Sequence, residues 1–353
     1  MRLAVAVVGM GIGQEHIAAY RALPALFDVV GICDPDSSRA QRAAARFNVD
    51  FVSTTLEHLM ERIEVDIVDI CTPPSTHFLL AVQALRSGCH VICEKPLVSS
   101  LAELDRLEMA ASKSARYVMP IFQYRFGNGL QSLKRIVDRG IAGKAYLSTI
   151  ETAWRRGPDY YATPWRGRWQ SELGGVCLTH AIHAHDILTY LVGPAKEVFA
   201  QTSTRVNDIE VEDCAAIAVR MLDGSLATLA ATLGSIAEIS RYRFVFENLT
   251  AESSLAPYHP TRGPWTITGA SSEVNANIES AVAESAPDLE GYAGQFAAFH
   301  GALVRDSEPP VTTGDARSSL SLITAIYASA RTRQPVHLPI SPSDPMYARW
   351  LPG

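Results

Sequence analysis

Short apolar runs alternate with longer segments of helical period over the first part of the chain. The runs are rich in Val and Ile, and several of the segments between them begin with a small polar residue or Pro. The predicted strands are Leu3–Val8, Val29–Cys33, Phe51–Ser53, Ile67–Cys71, Val91–Cys93 and Tyr117–Met119. The predicted helices are Gln14–Leu23, Ser38–Phe47, Thr76–Ser87 and Leu101–Ser114. Such alternation predicts βαβ units that form a parallel sheet.

The pattern changes after about Ile121, where longer strand candidates of alternating character begin. The turn dipeptide Asp223-Gly224 separates two of them, as in a hairpin. The predicted strands are Lys144–Trp154, Ala195–Ser203, Cys214–Met221, Leu226–Leu233 and Tyr242–Glu247. The predicted helices are Gly129–Arg139, Gly174–Leu191, Tyr292–Arg305 and Asp315–Arg331. We therefore predict an α/β protein whose second domain is α+β, with a large, open and mostly antiparallel sheet.

Composition and charge narrow the range of partners. The 353 residues carry a formal net charge of −6, and Lys and Arg are scattered rather than clustered. This distribution argues against nucleic acid and against a membrane surface as partners. No window reaches the roughly 18 uninterrupted apolar residues of a membrane-spanning helix. The charge distribution therefore favours a small-molecule substrate. The six cysteines lie mostly inside apolar runs, so we expect reduced thiols and a cytoplasmic location.

A glycine-rich loop, Gly9-Met10-Gly11-Ile12-Gly13, joins the first predicted strand to the first predicted helix. Glycines there allow a tight turn and let backbone N–H groups approach a pyrophosphate at the helix N-terminus. Gly13 comes one residue earlier than the third glycine of the usual fingerprint, so we expect a shorter loop. We predict that Gly9, Gly11, Ile12 and Gly13 bind a dinucleotide. A purely structural strand-to-helix turn is the alternative.

An acidic residue at the end of the second predicted strand bears on the choice of dinucleotide. Asp34 follows Gly9 by 34 − 9 = 25 residues, close to the spacing of about 20 expected for the carboxylate that binds the ribose hydroxyls. A carboxylate would repel a 2′-phosphate, so we predict NAD, with Arg39 leaving some tolerance of NADP. The alternative for Asp34 is a helix cap or turn residue ahead of Pro35.

Three further motifs are recognisable as sequences. They are residues 71–77 (CTPPSTH), residues 88–97 (GCHVICEKPL) and residues 173–186 (LGGVCLTHAIHAHD). With the glycine loop, they resemble the Gfo/Idh/MocA oxidoreductase family over nearly the whole chain. The resemblance implies a Rossmann dinucleotide-binding domain, residues 1–121, followed by a substrate-binding and oligomerisation domain, residues 122–353, with the active site in the cleft between them.

The resemblance also implies places for the motif residues of the first domain. Thr72, Pro73 and His77 would lie near the dinucleotide. Glu94 and Lys95, at the end of the fifth strand, would lie close to the nicotinamide. The general rule that open α/β sheets bind ligands outside the carboxyl ends of their strands agrees with these places.

Oxidation of a secondary alcohol needs a group that removes the hydroxyl proton and a group that stabilises the oxygen. In the matched motifs, we expect His183 to act as the general base or acid and Lys95 to orient the reacting hydroxyl and stabilise its developing negative charge. The alternatives are a salt-bridged lysine at a strand end and a hydrogen-bonded histidine packed against the sheet.

One position departs from the pattern of the family. Many of its dehydrogenases have Asp or Asn four residues before the active-site histidine, whereas this chain has Thr179, one turn before His183 on the same predicted helical face. A Lys–Asp–His triad is therefore absent. We expect Thr179 to bind a substrate hydroxyl or Lys95, and His180 to contribute to the substrate site in place of the missing charge; a different substrate geometry is the alternative.

The three histidines of this segment also raise the question of a metal. Imidazoles are common zinc ligands, and His180 and His183 could share a helix face. His185 points elsewhere on the predicted helix, and no acidic ligand is suitably placed. We therefore predict that no metal is bound.

An aromatic and arginine-rich segment precedes the predicted active-site helix. Aromatic rings pack on the C–H faces of sugars, and arginines bind hydroxyls or a carboxylate. We predict that Trp154, Trp165 and Arg166 bind substrate, together with Tyr124 and Arg125. The alternative is that the tryptophans cover the domain core and the arginines are solvated.

These observations predict an NAD(H)-dependent oxidoreductase that transfers hydride between the nicotinamide and a secondary hydroxyl or ketone of a sugar, sugar derivative or cyclitol. An NAD-dependent glycosidase of the same fold is the first alternative, and a non-catalytic dinucleotide-binding regulator is the second. The family's open sheet implies a homodimer or homotetramer, without distinguishing the two.

Overall fold

A computed structural model describes residues 1–284 and 289–352. The chain forms two compact units. The first comprises Met1–Ile121 and Tyr292–Ala316, and the second comprises Phe122–Gly291 and Arg317–Gly353. No helix of the described residues is both long and apolar enough to cross a membrane.

The first unit contains one sheet of six parallel strands flanked by helices. The strands are β1 (Leu3–Val8), β2 (Phe27–Cys33), β3 (Phe51–Ser53), β4 (Ile67–Ile70), β5 (His90–Cys93) and β6 (Val118–Pro120). The helices are α1 (Gly13–Arg21), α2 (Ser37–Phe47), α3 (Leu56–Met60), α4 (His77–Arg86) and α5 (Leu101–Ser114), with a 3₁₀ turn at Pro74–Thr76. The strand order is β3-β2-β1-β4-β5-β6, which confirms the predicted Rossmann domain.

The central strands of this sheet are buried on both faces. Val5, Val7, Ile67 and Val68 have no exposed surface, as expected where helices cover a parallel sheet on both sides. The predicted strands match the observed ones within two residues at each end. Helix α3 was not predicted, because five residues are too few to show a helical period.

A late segment of the chain packs with the first unit. Helix α12 (Gly291–Val304) stacks Phe296 on Tyr20, with ring centroids 4.3 Å apart. The Gln295 amide donates to the Pro120 carbonyl at 2.8 Å, and His300 Nε2 lies 2.7 Å from the Met1 carbonyl oxygen. The sequence-based division placed this segment in the second domain. The difference arises because hydrophobic periodicity identifies a helix without showing which core it joins.

The second unit is built on a sheet of eight strands. The strands are β7 (Ala145–Arg155), β8 (Ala195–Ser203), β9 (Cys214–Met221), β10 (Leu226–Thr232), β11 (Gly234–Phe246), β12 (Leu249–Glu252), β13 (Thr266–Gly269) and β14 (Val336–His337). Their order is β13-β12-β11-β7-β10-β9-β8-β14, and every neighbouring pair is antiparallel except β7 and β10. This arrangement confirms the predicted mostly antiparallel sheet.

The remaining helices accompany this sheet. They are α6 (Asn128–Asp138), α7 (Pro158–Tyr161), α8 (Trp169–Glu172), α9 (Val176–Thr179), α10 (Ile182–Val192), α11 (Ser272–Ala283), α13 (Thr313–Thr332) and α14 (Pro345–Ala348), with a 3₁₀ turn at Gln123–Phe126. Residues alternate along β9 and β10 between a buried and an exposed face. The sheet therefore keeps one face open, as predicted.

The predicted helix Gly174–Leu191 is wrong in one respect. The structure divides it into α9 and α10, because the chain leaves the helix at His180 and Ala181. The sequence analysis also missed several short elements and helix α11, and it began β11 too late, at Tyr242 instead of Gly234. Strands β12 to β14 have two to four residues each, which is too short for a period to be seen.

Candidate active site

The glycine loop follows β1 at the carboxyl end of the parallel sheet. Gly9 has a positive φ of 96°, and a Cβ added to it would lie 2.6 Å from the Cys71 carbonyl oxygen. A Cβ on Gly11 would meet no atom within 4 Å. Gly9 is thus needed for the turn, while Gly11 borders open space. Helix α1 begins at Gly13 without a side-chain cap, and in its first turn the Glu15 N–H donates to the Ile12 carbonyl at 2.9 Å.

Asp34 fixes the shape of this loop. Its Oδ2 accepts the Met10 N–H at 2.7 Å, and its Oδ1 accepts the Asp36 N–H at 2.9 Å. The residue that caps α2 is Asp36, so Asp34 is not a helix cap. Asp34 does stabilise the turn that leads to Asp36, which was the other structural alternative. Arg39 lies 3.8 Å from the Asp34 carboxylate. The contact of Asp34 with a ribose stays a prediction.

His77 braces two of the motif segments against each other. Its Nδ1 lies 2.8 Å from the Pro96 carbonyl oxygen, and its Nε2 lies 2.8 Å from the Thr72 carbonyl oxygen. The ring is fully buried, and burial lowers its pKa in spite of the two carbonyls. The predicted direct contact of His77 with the dinucleotide therefore has no support in this geometry. Thr72 and Pro73 remain partly exposed at the carboxyl end of β4.

Glu94 joins Lys95 to a buried polar network. One carboxylate oxygen, Oε2, accepts the Lys95 backbone N–H at 3.1 Å. The other, Oε1, lies 3.1 Å from His16 Nε2 and accepts the Tyr292 hydroxyl at 3.0 Å. His16 belongs to α1, directly after the glycine loop. The segment that presents Lys95 is therefore tied to the helix that begins at the predicted pyrophosphate site.

The other side of His16 faces a second carboxylate. Its Nδ1 lies 2.8 Å from Asp69 Oδ2, which also accepts the Tyr20 hydroxyl at 2.9 Å. Burial lowers the pKa of His16, but Asp69 and Cys71 together outweigh burial, and the pKa lies well above its usual value. Both ring nitrogens face carboxylates, so the ring is an imidazolium. Nothing in the sequence patterns indicated this network, because its members are 53 and 78 residues apart.

The distances in this network are those of hydrogen bonds. Within the part of the chain that the structure describes, His16, Asp69 and Cys71 are the one trio whose potential metal-ligand atoms lie within 4.8 Å of one another. Cys71 Sγ lies 3.3 Å from His16 Nδ1 and 3.5 Å from Asp69 Oδ1, and burial keeps its thiol pKa high. A metal ion at this place would have to displace a proton from the Cys71 thiol and from the His16 ring. The absence of a metal stays a prediction.

In the second unit, His183 stacks on Tyr124. The ring centroids are 4.3 Å apart with an interplanar angle of 18°, and Phe122 meets the same imidazole edge-on at 6.3 Å. His183 and Tyr124 are 5% and 8% exposed. The stack fixes the plane of the predicted general base. It also occupies one face of Tyr124, which was predicted to bind substrate.

Arg125 pairs with Asp186 one turn after His183. Arg125 Nε donates to Asp186 Oδ2 at 2.8 Å and Nη2 donates to Oδ1 at 2.6 Å, and both side chains are almost fully buried. Such a two-point pair has strict geometry. The structure thus gives Arg125 a task that differs from the predicted substrate contact. It holds α10, and with it His183, in place.

The double glycine before α9 permits a close approach to Glu212. Glu212 accepts the N–H groups of Gly175 and Cys177, each at 3.0 Å, and the Tyr327 hydroxyl at 3.0 Å. A Cβ on Gly175 would lie 1.8 Å from the Glu212 carbonyl oxygen, and one on Gly174 would lie 2.2 Å from the Tyr327 hydroxyl. The sequence analysis missed Glu212, although it satisfies the first N–H groups of α9.

Thr179 belongs to a hydrogen-bonded chain that also contains His180. The Thr179 hydroxyl donates to the Gly175 carbonyl at 2.8 Å and lies 2.7 Å from His180 Nδ1. His180 Nε2 lies 3.2 Å from the Tyr160 hydroxyl. The prediction that Thr179 and His183 share one helical face is wrong, because the chain breaks between α9 and α10. The observed neighbour of Thr179 is His180.

The aromatic and arginine-rich segment divides into buried and accessible parts. Trp154 is 6% exposed, and its indole N–H donates to Ser240 Oγ at 3.0 Å. It therefore covers the core, as the structural alternative held. Trp165 and Arg166 are half-buried, with the Arg166 guanidinium 4.5 Å from the Trp165 ring centroid. Arg166 also lies 3.8 Å from the ring centroid of Tyr160.

The two units and their motifs are those of an NAD-binding oxidoreductase. A family model described as "Oxidoreductase family, NAD-binding Rossmann fold" matches residues 3–122. A second model, "GFO/IDH/MocA C-terminal domain", matches residues 130–252. The chain belongs to the Gfo/Idh/MocA family, and NAD is confirmed as its cofactor type.

Among the relatives are several dehydrogenases. The chain is 27% identical to D-glucoside 3-dehydrogenase of Escherichia coli over 54% of each chain. It is 27% identical to myo-inositol 2-dehydrogenase of Thermotoga maritima over 64% of this chain and 67% of that one. An uncharacterised oxidoreductase of Synechocystis is 33% identical over 58% of this chain and 55% of its own. The matched part of the chain spans about half the length of the Synechocystis oxidoreductase and of the D-glucoside 3-dehydrogenase.

A solved structure resembles the whole fold. The WlbA dehydrogenase from Bordetella pertussis, in complex with NADH and UDP-GlcNAcA, has a TM-score of 0.84 and 27% identity, and covers 97% of this chain and 100% of that one. Levoglucosan dehydrogenase with NADH and levoglucosan has a TM-score of 0.80 at 21% identity, which shows the fold alone. These relatives do not favour the glycosidase or the regulator.

Proposed function

We propose that this protein is an NAD-dependent dehydrogenase that oxidises a secondary hydroxyl of a sugar, sugar derivative or cyclitol, or reduces the corresponding ketone. The observation that carries the proposal lies in the first unit. The glycine loop, Thr72 and the Glu94-Lys95 pair follow β1, β4 and β5, which are adjacent in the sheet. A dinucleotide-binding loop and a candidate catalytic lysine therefore share the carboxyl edge of one sheet.

The residues around the glycine loop fit NAD. Gly11 borders open space, and the first N–H groups of α1 have no side-chain cap. Asp34 would accept the ribose hydroxyls, since a carboxylate that accepts two N–H groups keeps further lone pairs. When bound, NAD supplies a hydride acceptor. All other steps of the reaction fall to side chains of the protein.

Lys95 and His183 would divide these steps. The Lys95 ammonium would orient the reacting hydroxyl and stabilise the negative charge that develops on its oxygen. His183 would take the hydroxyl proton, and return it in the reverse direction. Two features support these roles, namely the anchoring of the Lys95 backbone by Glu94 and the fixed plane of the His183 ring on Tyr124.

The substrate would meet side chains near His183 in the second unit. Trp165 and Arg166 offer a ring and hydrogen-bond donors, a combination suited to hydroxylated rings. Thr179, His180 and Tyr124 complete the proposed set of substrate contacts. Arg125 and Trp154 would support them from behind, because one is paired with Asp186 and the other is buried.

We further propose a cytoplasmic homodimer or homotetramer. The exposed face of the second sheet carries apolar residues, among them Leu147, Phe199 and Leu226, which suit an interface between copies. The six cysteines of the chain are unpaired, which accords with a reducing compartment.

Absorbance of reduced nicotinamide tests the proposed activity. Purified protein would be mixed with NAD or NADP and a panel of hexoses, anhydrosugars, uronates and inositols. Reduction of NAD by one sugar class is the expected result. Release of sugar from a glycoside without net NADH would indicate the glycosidase instead. If no sugar of the panel reduces NAD or NADP although the protein still binds NADH, the result would contradict the proposed dehydrogenase activity.

A further inference from the structure

Arg166 has a half-buried guanidinium group that forms a long ion pair with Glu172 but donates no side-chain hydrogen bond within the described residues. Its side chain is only 25% exposed, and among the described residues no atom accepts a hydrogen bond from it. The nearest carboxylate is Glu172, with Nη1 and Oε1 3.9 Å apart. Glu172 Oε2 accepts the Gly167 N–H at 2.5 Å. Five N–H donors of a largely enclosed cation are therefore left to solvent or a ligand.

Two aromatic rings hold this guanidinium in place. Its carbon lies 3.8 Å from the centroid of Tyr160 and 4.5 Å from that of Trp165. Contact with ring faces uses the face of the guanidinium, whereas its N–H groups point outward in its plane. A cation held in this way loses little freedom when it binds a planar or tetrahedral group of oxygens.

A second arginine adds positive charge at the same ring. Arg156 lies 5.2 Å from the Tyr160 centroid. Unlike Arg166, it is bound, since Nη1 donates to the Arg155 carbonyl at 2.7 Å and to the Tyr258 hydroxyl at 3.0 Å. Its charge is balanced by Glu238 at 3.4 Å. Arg156 is thus bound within the protein, which leaves Arg166 as the guanidinium of this pair with donors for a ligand; the pKa of Arg166 is lowered, chiefly by burial.

Tyr160 connects this cation to the active-site segment. Its hydroxyl lies 3.2 Å from His180 Nε2, and His180 precedes His183 by three residues. A group bound by Arg166 therefore lies within a few side chains of the proposed general base.

We propose that Arg166 forms an oxyanion subsite and that the substrate of this protein is an anionic sugar, with a carboxylate or a phosphate ester bound by the guanidinium. The proposal rests on the proposed function, because it assigns the class of substrate oxidised at that site. Arg166 and the rings of Tyr160 and Trp165 select for the charge. Neutral sugars of the same ring would leave the enclosed guanidinium without its partner.

Calorimetric titration tests the subsite independently of turnover. Protein saturated with NADH would be titrated with hexuronates, with hexose 6-phosphates and with the parent hexoses. We expect an anionic sugar to bind at least about tenfold more tightly than its neutral parent. The class that binds, uronate or phosphate, identifies the source of the oxyanion. Equal affinity for charged and neutral sugars, or no binding of any anionic sugar, would overturn the proposal.

Three variants locate the effect. Arg166→Gln should weaken binding of the anionic sugar about 10- to 100-fold and weaken binding of its neutral parent much less, so that the preference for the anionic sugar is lost. Arg166→Lys keeps the charge without the two-point geometry, so an intermediate loss is expected. Arg168→Gln removes an exposed positive charge from the same loop and should change nothing. Wild-type affinity in both Arg166 variants would refute the subsite.

The outcomes also separate this proposal from the proposed function. Tight binding of an anionic sugar without NAD reduction would retain the subsite and contradict the dehydrogenase. NAD reduction by neutral sugars in preference to anionic ones would retain the dehydrogenase and refute the subsite.

Discussion

The imidazolium of His16 lies 3.1 Å from the Glu94 carboxylate, inside the first unit and out of contact with water. His16 belongs to the helix that begins at the glycine loop, and Glu94 directly precedes Lys95. Asp69 holds the opposite ring nitrogen at 2.8 Å. Two negative groups on neighbouring strands are therefore bridged by one positive group on a helix.

Removal of this bridge should destabilise the first unit. His16→Ala leaves Asp69 and Glu94 buried without their shared cation, and loss of one partner of a buried ion pair costs about 3 to 5 kcal/mol. Thermal unfolding followed by circular dichroism should show a clearly lower Tm. His337→Ala, at a histidine whose side chain is 74% exposed, is the control. Equal Tm values for the two variants would show that the bridge contributes nothing.

The same bridge predicts a dependence of stability on pH. The pKa of His16 is raised in the folded state, while the unfolded value is about 6.5. Its contribution is fully present below the unfolded pKa and is lost as pH rises through the folded pKa. The difference in unfolding free energy between wild type and His16→Gln should therefore shrink with rising pH. Denaturant titrations at several pH values measure it, and a difference that grows with pH would contradict the assigned charge.

Lys95 should matter for turnover and little for cofactor binding. Lys95→Ala removes the group proposed to stabilise the reacting oxygen, and we expect kcat to fall about 10²- to 10⁴-fold. The affinity for NADH, measured by fluorescence, should stay near that of wild type. Lys113→Ala, at an exposed lysine of α5, is the matched control. Near-normal turnover by Lys95→Ala would show that Lys95 does not stabilise the reacting oxygen.

Gly11 and Gly9 should respond differently to alanine. A Cβ at Gly11 meets no atom within 4 Å, so Gly11→Ala should fold normally and lose NADH affinity, because the methyl group enters the proposed pyrophosphate space. Gly9→Ala should unfold the loop, since its φ is 96° and its Cβ would lie 2.6 Å from the Cys71 carbonyl oxygen. Gly157→Ala, also in open space, is the control for the added methyl. Unchanged NADH affinity in Gly11→Ala would place the cofactor elsewhere.

The sequence predicted the elements that repeat a clear pattern. Strands Leu3–Val8, Ala195–Ser203 and Cys214–Met221 have the predicted bounds, because burial on one or both faces imposes apolar residues at fixed intervals. The break at His180 and Ala181 could not be predicted in this way. Most residues of both flanking helices are buried, so no alternation between a buried and an exposed face marks the point at which one helix ends.

The sequence motifs predicted the candidate catalytic residues but not the buried residues that hold them in place. Lys95 and His183 were found through segments of characteristic order. Their supports, Glu212 and His16, are brought to the site only by folding, from 35 or more residues away. Arg125 was predicted to bind substrate because it lies beside an aromatic residue in the sequence. The sequence does not show that Asp186, 61 residues later, pairs with it in the fold.

Asp34 has a consequence for cofactor engineering. If Asp34 binds the ribose as predicted, a change from NAD to NADP requires replacing it, so that the 2′-phosphate is no longer repelled. In this protein the replacement would also remove the acceptor of the Met10 N–H and open the turn to Asp36. The side chain predicted to select the cofactor is thus also the one that holds the loop together. A variant that binds NADP would therefore need another acceptor for the Met10 N–H group, at a position that the 2′-phosphate does not occupy.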